Sequence, residues 1–238
     1  AVMRCDADCI LGCQSWMGRC TFSGMSHPFK ANQTLLFIGD SITDCGREHP
    51  VGQRWNSLGR GYVSFVDSIM GAVIPGTPIT VLNTGISGNR VTDLEARWQS
   101  DVLDLEPNWL SVMIGINDVW RQFDSEPGAE QVEPEQYELV YRSLLAKTRS
   151  QLDGLILMTP YFLEKNREDP MRAKMDGYGA ITKKLAVEFD AICVDMQAAF
   201  DRYLLHQPTE SLCADRVHPN GLGHMILARA FLHALGVS

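Results

Sequence analysis

The sequence predicts an α/β fold, a three-layer α/β/α sandwich on a five-stranded parallel sheet. The prediction rests on rhythm and on the character of the apolar runs. From Thr34 onward, short apolar runs alternate with longer segments of helical periodicity. The runs are continuous rather than alternating, as expected of strands covered on both faces. Such a β-α-β rhythm implies right-handed crossovers between parallel neighbours.

The five strands are Leu35–Ile38, Ile79–Leu82, Leu110–Ile114, Leu155–Met158 and Ile192–Val194. Amphipathic stretches at Tyr62–Val73, Val91–Leu105, Pro134–Leu152 and Met171–Phe189 are read as the helices between them, with a last helix over Gly221–Leu235. Two long loops interrupt the pattern, Cys45–Gly61 after the first strand and Trp120–Glu133 after the third. Both leave the carboxyl end of a strand, where open α/β sheets place their ligand crevice. The first carries Arg47, Arg54, Trp55 and Arg60, the second Trp120 and Arg121. These residues suit lining of a substrate crevice and equally suit ordinary loop packing.

A chain of 238 residues suits one domain. Its net charge is −8, without a Lys/Arg cluster, which argues against nucleic acid as a partner. No apolar run is long enough to span a bilayer, so no membrane association is expected. Residues 1–24 stand apart, with Cys5, Cys9, Cys13 and Cys20 ahead of Met25. Asp6 and Asp8 and the lack of a sustained apolar core argue against a signal peptide. A metal or disulfide knot, a structural helix and a non-native leader all fit; the last is preferred because Met25-Ser26-His27-Pro28 reads as a start, leaving 25–238 as the single domain. Cys45, Cys193 and Cys213 read as isolated small hydrophobes, which favours a reducing, cytoplasmic compartment.

Four segments carry chemistry. Gly39-Asp40-Ser41-Ile42-Thr43 ends the first strand and exposes a hydroxyl, with backbone N–H groups aimed into the same crevice. Asn83-Thr84-Gly85-Ile86-Ser87-Gly88-Asn89-Arg90 follows the second, where glycine presents an N–H with no side chain in the way. Gly115-Ile116-Asn117-Asp118 follows the third and offers a side-chain amide. Asp215-Arg216-Val217-His218-Pro219 precedes the last helix, its spacing placing a carboxylate against Nδ1 with Nε2 outward, as a general base requires. Each segment alone also reads as a cap or turn. Together they supply a nucleophile, two donors and an acid–base pair to one crevice.

In this order the four segments resemble those of the SGNH/GDSL hydrolase superfamily, over nearly everything after Gln33. The resemblance implies a flavodoxin-like sandwich and a serine esterase. It makes Ser41 the nucleophile, His218 the base and then the acid, and Asp215 its orienting partner. It makes the Ser41 N–H, the Gly88 N–H and the Asn117 amide the oxyanion hole, Gly88 being preferred to Gly85. Only Ile42 departs from the literal GDSL signature, at a packing position. Asp40, Arg54, Trp55, Asn89, Trp120 and Arg121 are expected to contact substrate; His224 and His233 are read as surface or packing residues of the last helix. Phe37–Arg47, Met113–Gln122 and His224–Phe231 resemble bacterial intracellular acetylxylan and acetyl-xylo-oligosaccharide esterases. That implies removal of O-acetyl groups from short xylo-oligosaccharides by a homo-oligomer, with no metal or organic cofactor. A broad short-chain esterase, lysophospholipase or thioesterase on the same scaffold is the alternative enzyme. A carbohydrate-binding protein with a dead site is disfavoured, because a binder has no use for a triad.

Overall fold

The structure, a computed structural model, describes residues 27–124 and 130–237. The reading of residues 1–24, including the boundary at Met25, lies outside the described residues. In chain order the elements are β1 (Thr34–Gly39), α1 (Ser41–Asp44), β2 (Gly52–Gln53), α2 (Tyr62–Val73), β3 (Thr80–Asn83), α3 (Val91–Asp101), β4 (Trp109–Met113), α4 (Ile116–Asp124), α5 (Pro134–Thr148), β5 (Gly154–Met158), α6 (Pro170–Glu188), β6 (Ile192–Val194), α7 (Met196–Leu204) and α8 (Gly221–Ala234).

The α/β sandwich is as expected, with a difference at one edge. The sheet has six strands in the order β2-β3-β1-β4-β5-β6. Five are parallel; β2 adds an antiparallel edge, Gly52 opposite Asn83. Two residues inside a polar loop carry no periodicity, which is why β2 is not legible in the sequence. Helices α2, α7 and α8 pack together on one face, and α3, α4, α5 and α6 on the other. Leu35, Leu36, Phe37 and Ile38 of β1 are fully buried between them.

Besides the one-turn α1, two helices lie where none is expected. Helix α4 takes in Trp120 and Arg121, so the second long loop begins only after Asp124. Its Ile116 and Val119 are buried one turn apart, while polar Asn117 and Asp118 are buried beside them, masking the apolar stripe. Helix α7 buries Met196, Ala199, Phe200 and Leu204 at helical spacing, and its cap, Asp195, accepts from the Ala198 N–H. Helices α3 and α5 end earlier than the periodicity suggests, each followed by a single 3₁₀ turn. The three described cysteines are free; Cys213 is buried, Cys45 half-buried and Cys193 exposed, so the last is no packed hydrophobe. No helix among the described residues is long and apolar enough to cross a membrane.

Strand register brings the active face together. Gly39 pairs with Met113, and Phe37 with Asn83, so β1 and β4 end together and β3 ends opposite Phe37, just short of them. The chain leaves β1 for β3 on one side and reaches β4 on the other, which makes this the switch point of the sheet. Asn83, fully buried, stitches the surrounding loops: its Nδ2 donates to the carbonyls of Thr43 (2.7 Å) and Leu58 (2.9 Å), and its Oδ1 accepts from the Gly85 N–H (2.9 Å).

Replacing Asn83 by leucine, of similar volume, leaves three buried backbone groups without partners. At about 1–3 kcal/mol for each such group, urea unfolding should show a loss of roughly 3 kcal/mol or more. A loss under about 1 kcal/mol would mean that the three groups find other partners.

Candidate active site

The site starts from the end of β1. Asp40 is extended, and its Oδ1 accepts from the Ile42 N–H (3.0 Å), capping the one-turn helix α1. Ser41 is therefore the first helical residue, where a backbone N–H has no intrahelical acceptor. Among the described residues the Ser41 N–H has no hydrogen-bond partner. Asp40 itself is 1% exposed and sits beneath the turn.

The second strand-end loop is drawn onto this turn. A Cβ at Gly85 would overlap the Asp44 backbone nitrogen, so only glycine permits the approach. The Ile86 N–H donates to the Gly39 carbonyl (3.0 Å), and the Asp44 Oδ2 accepts from both the N–H (3.1 Å) and the hydroxyl (2.8 Å) of Ser87. Gly88 follows in the left-handed region, φ 84°, exposed, and its N–H likewise has no acceptor among the described residues. From the third strand end, two adjacent side chains of α4 grip the same loop. Asn117 Nδ2 donates to the Asn89 carbonyl (3.0 Å), and Asp118 Oδ1 accepts from the Val91 N–H (3.0 Å). One hydrogen of the Asn117 amide is thus spent on Asn89, leaving the other to donate.

The fourth segment closes the site. Ser41 Oγ lies 2.9 Å from His218 Nε2, and His218 Nδ1 lies 2.7 Å from Asp215 Oδ2. The other carboxylate oxygen accepts from the N–H groups of Val217 (3.0 Å) and His218 (2.9 Å). Partial burial pushes the Asp215 carboxyl up, but the His218 side chain and these two N–H groups outweigh it and hold the group below the usual carboxylate range. Asp215 therefore keeps the charge that orients the imidazole with Nδ1–H toward it and Nε2 free to accept from Ser41. The side chains of His218 and Asp215 are 44% and 42% exposed, so the pair lies open to solvent. Trp120 flanks it, with ring centroids 5.7 Å apart.

Of the residues singled out in the sequence, Ser41, His218 and Asp215 meet directly, Gly88 and Asn117 meet through Asn89, and Trp120 stands beside the imidazole. The others have different partners. Asp40 is a buried cap and offers no surface to a ligand. Arg54 bonds Asp67 of α2 through Nε and Nη2 (2.9 and 2.6 Å), pinning the loop to that helix. Trp55 is 93% exposed beyond β2, where the chain has turned back from the strand ends. The Asn89 Oδ1 accepts from Arg97 Nε (2.7 Å), and Arg121 pairs with Asp124 (2.7 Å) while stacking on Trp120. His224 is buried rather than a surface residue: its Nδ1 accepts from the Tyr62 N–H (3.2 Å), and burial drives its pKa down to about 4. His233 is exposed. Sequence reasoning misses Asp44, Arg97 and Asp118, whose partners are backbone groups distant in the chain. Among the described residues no group of three or more His, Cys, Asp or Glu is placed to hold a metal ion.

Burial pushes Asp118 up to about 7, with the nearby Asp40 adding to the rise and the Val91 N–H and Arg90 opposing it. Between about pH 4 and 7 this carboxyl is neutral in the fold and ionised in the unfolded chain, so the fold loses stability as pH rises through that window. Asp118→Asn keeps an oxygen for Val91 and removes the titration. Its stability relative to wild type should therefore improve by about 2–4 kcal/mol from pH 4 to pH 8 in denaturant unfolding. An unchanged difference at the two pH values would show that Asp118 is ionised in the fold.

Comparison with known proteins places these features in a family. Residues 37–226 match the GDSL-like lipase/acylhydrolase family. The acetylxylan esterase of Geobacillus stearothermophilus is 50% identical over 208 residues, covering 87% of this chain and 95% of that protein. Its crystal structure superposes with a TM-score of 0.86, over 88% of this chain and 96% of that one. Three solved variants described as its catalytic mutants replace a serine, a histidine and an aspartate by alanine, the aspartate three positions before the histidine. An α/β hydrolase from the metagenome of Lake Arreo, Spain, is 46% identical, with a TM-score of 0.87 over 89% of this chain and 99% of that one. The chain is a carboxylic ester hydrolase and belongs to the GDSL-like lipase/acylhydrolase family.

Proposed function

We propose that this esterase removes O-acetyl groups from xylose units of acetylated xylo-oligosaccharides by an acyl-enzyme mechanism on Ser41. The observation that carries the reading is the continuous hydrogen-bonded line Ser41–His218–Asp215, with the unpaired N–H groups of Ser41 and Gly88 on neighbouring strand-end loops. The half-identical Geobacillus acetylxylan esterase supports the acetyl and xylose parts of it.

In the first half-reaction Ser41 Oγ attacks the acetyl carbonyl while His218 Nε2 takes its proton, and Asp215 steadies the imidazolium. The oxyanion is received by the two N–H groups and the remaining Asn117 hydrogen; one such donor is typically worth about 3 kcal/mol in the transition state. His218 then protonates the leaving sugar oxygen. In the second half-reaction water, deprotonated by His218, attacks the acetyl-enzyme; the bond to Ser41 Oγ breaks, His218 returns the proton to that oxygen, and acetate leaves. The exposed imidazole lets the leaving sugar extend into solvent, and the Trp120 ring beside it offers a face on which a pyranose stacks.

Acetate release from acetylated xylo-oligosaccharides, followed by mass spectrometry, tests the reading, with Ser41→Ala as the inactive control. Activity near wild type in that variant would remove the serine from the mechanism.

Asp215→Asn should lower kcat by about 10⁴, because an amide favours the wrong imidazole tautomer. A kcat within a few-fold of wild type would assign the orienting role to another acid.

Acyl-chain length separates a deacetylase from a lipase-like esterase. A fitting acyl channel gains about 0.8 kcal/mol per methylene, so a lipase-like site improves with length. Here kcat/KM for nitrophenyl esters should fall from acetyl to butyryl and vanish by octanoyl. A rise with length would sink the deacetylase reading and leave the ester hydrolase standing.

A further inference from the structure

Between Asp215 and His218 the backbone does something an arginine resists. Arg216 lies in the left-handed region, φ 63°. A residue with a Cβ is strained there and relaxes unless its surroundings hold it. The turn matters because it aims the N–H groups of both Val217 and His218 at one Asp215 oxygen, leaving the other for the imidazole.

The surroundings are built for that arginine. The Leu163 N–H donates to the Arg216 carbonyl (3.0 Å), and the Tyr161 hydroxyl to the Val217 carbonyl (3.2 Å). The guanidinium lies 4.8 Å above the Phe162 ring, and its Nη1 reaches Glu164 (2.9 Å) and Asp169 (3.5 Å). This seat is itself rigid. Asp169 caps α6 through the Met171 and Arg172 N–H groups, Arg172 donates to the Glu164 carbonyl, and Gln197 of α7 holds both backbone groups of Phe162.

We propose that Arg216 is a positioning residue whose side chain, seated on Phe162, Glu164 and Asp169, holds the left-handed turn that aims His218 at Ser41. Without the seat, the turn relaxes, the two N–H groups leave Asp215, and the imidazole drifts from the hydroxyl. Glycine occupies this region without strain and needs no seat. The inference rests on the reading of Ser41, His218 and Asp215 as the triad.

The full chain and its variants Arg216→Ala, Arg216→Gly, Glu164→Gln and Arg216→Gly/Glu164→Gln are compared. Labelling of Ser41 by a fluorophosphonate is located by mass spectrometry and timed, and kcat and KM are measured on 4-nitrophenyl acetate. Arg216→Ala should slow labelling and kcat by about 10-fold or more, as misplacement of a reacting group does, with KM within about two-fold of wild type. Arg216→Gly, which lacks the same guanidinium, should be clearly faster than Arg216→Ala. Glu164→Gln should slow the arginine protein but not the Arg216→Gly protein, a comparison that stands even if Arg216→Ala does not fold. Wild-type rates in Arg216→Ala, equal or slower rates in Arg216→Gly, or a loss carried by KM would each overturn the proposal. A wild-type protein that takes no label at Ser41 would overturn the triad reading itself, a result distinct from any ranking of labelled variants.

Discussion

Arg97 sits where the carboxyl ends of β1 and β3 meet the Asn89 loop, and its guanidinium donates to all three. Nη2 reaches the Gly39 carbonyl (3.1 Å), Nη1 the Thr84 carbonyl (2.6 Å) and Asp101 (2.6 Å), and Nε the Asn89 side chain (2.7 Å). A planar group with five donors in fixed directions acts here as a template for the spacing of strand ends. Ser41 arrives on one of those ends, and the Gly88 N–H on the loop that leaves the other. Sheet register alone does not locate them relative to each other, because both lie beyond the last ladder pair. Asp44 and Asn83 add their own ties to the same two loops, and Asn117 and Asp118 bring in β4. The loops that carry the Ser41 and Gly88 N–H groups are thus fixed by side chains outside the Ser41–His218–Asp215 line.

What the sequence made legible follows from how locally each feature is encoded. Buried strands declare themselves through runs such as Leu35–Ile38, and Tyr62–Val73 through its helical stripe. The candidate site is legible because Ser41, Gly88 and Asn117 occupy short segments after strands, and Asp215 and His218 a short segment before the last helix. Helix α4 escapes because buried Asn117 and Asp118 interrupt its apolar face, and β2 because two residues carry no period. The roles of Arg97, Asp44 and Asp118 are illegible for another reason. Their partners include backbone groups up to 58 residues away, and nothing in a carbonyl or an N–H marks its sequence. Arg54 and Trp55 mislead because loop membership, all that the sequence states of them, does not say which way the loop turns.

The acids of the site divide by environment rather than by type. Asp40 and Asp118 are both dry, and burial lifts each to about 7. Asp215 is half in water and takes three hydrogen bonds, which keeps it charged. Only the open one faces the imidazole, so in the proposed mechanism the orienting role falls to the residue that remains an anion. The two dry carboxyls serve as caps and clamps, where a neutral group does the work as well as a charged one.

Asp40's capping of a single helical turn has a consequence beyond the placement of a hydroxyl. In the proposed mechanism Ser41 carries both the attacking oxygen and, on its own backbone, one of the groups that receive the negative charge. The second resource survives any side chain at that position that tolerates the turn. Loss of the hydroxyl therefore subtracts the bond-making atom and leaves the anion cradle whole, held by Arg97, Asp44 and Asn117. On that mechanism recognition and turnover differ by one oxygen, and a receptor for the ester is a single substitution away from an enzyme that destroys it.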